Sequence, residues 1–87
     1  MADKDFDKAR AKAFSQTMTN VMNGGALALM CSIGHRTGLF DVMAALPPSG
    51  EDTIAKAAEL HPRYVREWLA AMVSGNIVDY DVTDDTY

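Results

Sequence analysis

Cysteine occurs once in the sequence, at Cys31, which excludes a disulfide framework and a cysteine-based metal site. In its apolar surroundings the thiol reads as a small hydrophobe. No apolar run approaches the roughly 20 residues that cross a bilayer. The opening, MADKDFDKARAK, is charged throughout and does not resemble a secretory leader. The chain therefore reads as cytoplasmic, with no membrane contact. Lysine and arginine are missing from the last twelve residues, which carry Asp79, Asp81, Asp84 and Asp85. The net charge of −4 belongs to that tail, since everything before Asn76 sums to zero. Histidine is sparse too. His35 and His61 stand apart, with no nucleophile–base pair, carboxylate dyad or ligand spacing beside them, so no catalytic or metal-binding residue is assigned.

What is present in quantity is apolar surface. Hydrophobic residues make up 48% of 87, six of them methionine. A chain this short buries only about 60–65% of the surface its unfolded form exposes. The imbalance is greatest in NGGALALMCSIGHRTGLF, Asn23 to Phe40, where Ala26 to Ile33 holds no charge and Ser32 is the sole polar side chain. A helix apolar on every side has to be covered, either by its own chain or by another. Oligomerisation adds buried area without adding residues, so a homodimer is expected.

The apolar spacing of Phe6, Ala9, Ala13, Phe14, Met18, Val21 and Met22 predicts a helix over 3–22, with Asp3, Asp5 and Asp7 at the positive end of its dipole. Asn23-Gly24-Gly25 predicts a break. A second helix follows over 26–37, with His35 and Arg36 in its last turn and Gly38 as its cap. A third, over 39–45, stops at Pro47-Pro48. Ser49 with Asp52 resembles a capping box opening a helix to about Leu60, its narrow apolar face formed by Ile54, Ala57 and Ala58. Pro62 suits the first position of the next helix. That helix would bury Val65, Trp68, Leu69, Met72 and Val73, expose Arg63, Arg66, Glu67 and Ala70, and end at Gly75. Ile77, Val78 and Tyr80 alternate with acidic residues as a strand does, and Asp84-Asp85 suits a hairpin turn that returns through Tyr87.

Helix, tight turn, helix and hairpin, in that order, describe a winged helix-turn-helix. The expected architecture is mainly α, one domain over 1–87. Residues 1–22 form a leading helix, 24–46 the apolar helices, and 49–87 the helix-turn-helix with a small C-terminal β-hairpin as its wing.

The runs GALALMCSIGHRTGLFDVMAALPPS and HPRYVREWLAAMVSGNIVDYD resemble the N-terminal winged-helix domain of class I methyltransferases that use S-adenosylmethionine. The resemblance covers 14–87. It implies a non-catalytic domain that pairs two subunits and roofs a substrate pocket, while a separate Rossmann-like domain holds the methyl donor. Gly24-Gly25 and the glycines from Gly34 to Gly38 do not form the expected nucleotide cradle, because neither set follows a strand. This chain is accordingly expected to bind no S-adenosylmethionine, and the catalytic domain of the parent protein to lie outside these residues. His61 before Pro62 departs from the Asn, Asp or Ser common there, which weakens the expected cap.

Phe14, Met18, Met22, Leu27, Met30 and Cys31 are the candidate dimer-interface residues. Of these, Leu27, Met30 and Cys31 are expected to lack a partner within the chain. His35 and Arg36 are candidates for docking the substrate or the other domain. Trp68 and the methionines read as core. The alternative is a winged-helix DNA-binding transcriptional regulator, with Arg63 and Arg66 on its recognition helix. Phosphate contacts need a basic surface, and the acidic wing argues against that reading.

Overall fold

A computed structural model describes residues 7–87, which form four helices in sequence. The expectations for Asp3, Asp5 and Phe6 lie outside the described residues. Helix α1 runs Lys8–Arg36, 29 residues, with the Asp7 carboxylate capping its start by accepting the Arg10 N–H. Helices α2 (Leu39–Ala45), α3 (Glu51–Ala58) and α4 (Pro62–Ser74) follow.

The expected break at Asn23-Gly24-Gly25 does not occur. All three residues lie inside α1, and none has positive φ. Two mid-helix glycines cost about 2 kcal/mol relative to alanine. That weakens the helix, but each helical residue still adds a hydrogen bond once the helix has started. The reversal comes later, at Gly38. Its φ of 78° turns the chain from α1 into α2, a conformation that glycine adopts without a Cβ penalty. Thr37, the last cap of α1, donates its hydroxyl to Ile33 O at 2.7 Å.

The core consists of Leu39, Ile54, Ala55, Val65, Trp68, Leu69 and Met72, each at most 1% exposed. Four of the five α4 residues expected inside are buried; Val73 is half-buried. On α3, Ala55 is buried and Ala57 exposed, reversing the expectation for that residue. With alanine at 55, 57 and 58, periodicity alone does not settle the rotation about Ile54. The capping box at Ser49 is also corrected. The N-cap of α3 is Gly50, without a side-chain bond, and the Ser49 hydroxyl donates to Pro47 O at 2.6 Å. His61 caps α4 after all, its Nδ1 accepting the Arg63 N–H at 3.1 Å.

The β-hairpin is not formed as strands. One antiparallel bridge, Asp81 with Thr86, is present among the described residues. The Asp81 carboxylate accepts the N–H groups of Thr83 and Asp84, so a side chain closes the loop where a ladder was expected. Tyr87 then exchanges both backbone hydrogen bonds with Ser49, at 2.8 and 3.3 Å. This fastens the end of the wing to the α2–α3 connection.

Candidate interaction site

The body of the molecule packs against the C-terminal third of α1 alone. Leu27, Met30, Cys31 and Ile33 lie on the core, and Gly34 is buried beneath Trp68 and Phe40. Every described residue from Asp7 to Ala26 is exposed. The molecule extends 62 Å along its longest axis, with a radius of gyration of 18.4 Å, against about 12 Å expected for a compact chain of this length.

The projecting arm is apolar along one side. Phe14 is 66% exposed, Met18 42%, Val21 60%, Met22 69% and Leu29 68%. At roughly 100° per residue these five share one stripe, while Leu27, Met30 and Gly34 point to the opposite side of the cylinder. Helix α1 therefore has two apolar faces, and its own body covers one.

The candidate interface residues separate accordingly. Phe14, Met18 and Met22 lie on the outer stripe, whereas Leu27, Met30 and Cys31 are packed against the core. The expectation that these last three lack a partner within the chain is not met: the body supplies it. Continuity of the helix through Gly24-Gly25 fixes this arrangement, because it ties the rotation of the arm to that of the packed segment. Leu29, which the sequence reading did not single out, completes the outer stripe. His35 and Arg36 are exposed in the last turn of α1.

Charge follows the same division. Lys8–Arg36 carries four basic residues and no acidic one, while 37–87 carries nine acidic and three basic. Arg66 Nε and Nη2 both lie 2.9 Å from Glu51 Oε1, tying α4 to α3. Arg63 remains exposed near the start of α4.

A cleft of about 540 Å³ opens between α1 and the start of α4, with Met30, Ile33 and Trp68 at its base and His61, Arg63 and Glu67 at its rim. Its chemistry is that of an apolar recess. Among the described residues no group of three or more His, Cys, Asp or Glu side chains could hold a metal ion, and no helix is long and apolar enough to cross a membrane.

A helix pair, α3 and α4, joined by a tight turn and followed by a short looped wing places the chain in the winged helix-turn-helix class. Residues 25–87 match the family model described as the Rv2258c-like winged HTH domain, and the chain belongs to that family. No curated protein matches it significantly.

Proposed function

We propose that the chain is a non-catalytic dimerisation and substrate-lid domain of a methyltransferase-like protein, acting through the outer face of α1. The observation that carries this reading is the uncovered stripe of Phe14, Met18, Val21, Met22 and Leu29. Most helical stability in proteins comes from packing an apolar face rather than from intrinsic propensity, and two adjacent glycines lower the propensity of this arm further. Among the described residues nothing packs on the arm, so a second subunit is the natural source of that stability.

The methyltransferase parent rests on the sequence resemblance. Under it, S-adenosylmethionine belongs to a separate Rossmann-like domain, and the cleft floored by Met30, Ile33 and Trp68 forms part of the roof over the methyl acceptor. His35, exposed in the last turn of α1, would meet that domain. Two measurements test the reading. Helicity by circular dichroism falls on dilution through the micromolar range if the arm depends on a partner, and concentration-independent helicity contradicts this. Calorimetric titration with S-adenosylmethionine gives no binding heat; micromolar binding would refute the assignment of the cofactor elsewhere.

The second reading, a DNA-binding regulator, is favoured by the winged helix-turn-helix class and by exposed Arg63. Against it stand the Arg66–Glu51 pair and the four aspartates of the wing, since non-specific affinity for duplex comes from basic contacts to phosphate.

A further inference from the structure

We infer that two copies of α1 pair antiparallel, with their two-fold axis between Val21 and Met22. This rests on the reading of the outer face as a subunit interface and specifies its register.

The outer stripe of α1, followed from end to end, comprises Asp7, Ala11, Phe14, Met18, Val21, Met22, Gly25, Leu29, Ser32 and Arg36. At roughly 100° per residue all ten positions fall within a band about 100° wide. A two-fold axis makes each contact between identical antiparallel helices occur twice, so the register is defined by which stripe residues it brings face to face. The axis between Val21 and Met22 sets Phe14 beside the partner's Leu29, and Met18 beside the partner's Gly25. It also sets Val21 beside the partner's Met22, and Asp7 beside the partner's Arg36.

The pairs are complementary in size and charge. Met18, the least exposed of the five large residues, faces a glycine at which an added Cβ would meet nothing within 4 Å. That space admits a methionine side chain. At the ends of the stripe, the acidic cap of one helix meets the basic last turn of the other. The wider charge distribution agrees. A parallel pair would bring the Lys8, Arg10 and Lys12 segments together and set the two acidic bodies side by side. The antiparallel pair brings each basic arm to the end of α1 that carries the partner's acidic body and keeps the two bodies apart.

Complete cover of the five large residues would bury about 600 Å² per chain, the low end of the range around the ordinary value of about 800 Å² per partner.

Cysteine crosslinking in a Cys31→Ala background tests the register. Val21→Cys crosslinks to itself, because its two copies differ by about 1.5 Å along the axis. Met18→Cys and Leu29→Cys do not, because their copies are offset by about 10 and 22 Å, beyond the roughly 7 Å that a disulfide spans between Cα atoms. The double variant Phe14→Cys/Leu29→Cys crosslinks between chains, and peptide mapping finds residue 14 joined to residue 29. All these positions are exposed, and circular dichroism checks that the body stays folded. Self-crosslinking at 18 and 29 as strong as at 21, or no 14–29 product, in a chain that sediments as a dimer overturns the register and leaves the dimer reading standing. Sedimentation as a monomer overturns both.

Discussion

Gly34 lies directly beneath the indole of Trp68. A β-carbon built on Gly34 would fall 2.7 Å from the edge of the Phe40 ring and closer still to Trp68. The two rings, 5.1 Å apart at 66°, meet edge to face above that glycine. The close approach of α1 to α4 and α2 thus depends on a missing side chain. This glycine, in the last turn of α1, is needed for packing and has no unusual backbone angle.

The first prediction contrasts two glycines of one helix. Gly34→Ala destabilises the fold by about 1–3 kcal/mol through overpacking, even though alanine is the better helix former. Gly24→Ala meets nothing within 4 Å and stabilises by up to about 1 kcal/mol. Thermal melts of the two variants should move in opposite directions. A rise for both would mean that the aromatic pair yields without cost.

The second concerns the hydrogen bond that the same indole makes. Trp68 Nε1 donates to Met30 O at 2.8 Å, tying α4 to the packed segment of α1. Trp68→Phe removes the donor and leaves space where the larger ring was. A loss of about 1–3 kcal/mol is expected, or a fall in Tm of about 4–8 °C per kcal/mol for a domain of this size. An unchanged Tm would show that the bond is dispensable.

The third follows the wing through alkaline pH. The Tyr80 hydroxyl donates to Asp85 Oδ1, and this bond, with desolvation and nearby carboxylates, pushes its pKa from 10.0 up to about 12. Burial, with Glu51 and Asp85 nearby, raises Tyr87 as well. The folded state holds these protons more tightly than the unfolded state. The stability that Tyr80 contributes is therefore complete below pH 10 and lost as pH rises through about 12. Ultraviolet phenolate titration should show a component delayed beyond pH 10 that Tyr80→Phe removes. Titration of the full tyrosine signal near pH 10 would contradict the bond.

The fourth addresses nucleic acid. With Arg66 paired to Glu51 and an acidic wing, the chain should not retard duplex DNA even at low ionic strength. Tight retention that weakens steeply with salt would restore the regulator reading.

The helix-turn-helix was legible because its signals are local. Pro62 at the start of α4, Gly75 at its cap and the apolar spacing of Val65, Trp68, Leu69 and Met72 each depend on neighbours in sequence. The α2 limits, Leu39–Ala45, were legible for the same reason, between Gly38 and the double proline. The features that sequence did not resolve depend on competition between states. Asn23-Gly24-Gly25 has the composition of a helix end, but composition cannot say whether the next residues continue the ladder. The wing alternates like a strand, yet the Asp81 side chain captures the N–H groups of Thr83 and Asp84. The stripe from Phe14 to Met22 was visible as a pattern. Its separation from Leu27, Met30 and Cys31 was not, because that depends on one continuous helix fixing both rotations.

Sedimentation equilibrium of the chain beside its Met18→Glu/Met22→Glu variant tests the claim that the outer face of α1 joins two subunits. Each substitution adds a charge to an exposed position outside the core, so the body should keep its fold. The parent chain should sediment as a dimer at micromolar concentration and the variant as a monomer. A parent chain that stays monomeric throughout that range, or a variant that dimerises as tightly as the parent, would contradict that claim.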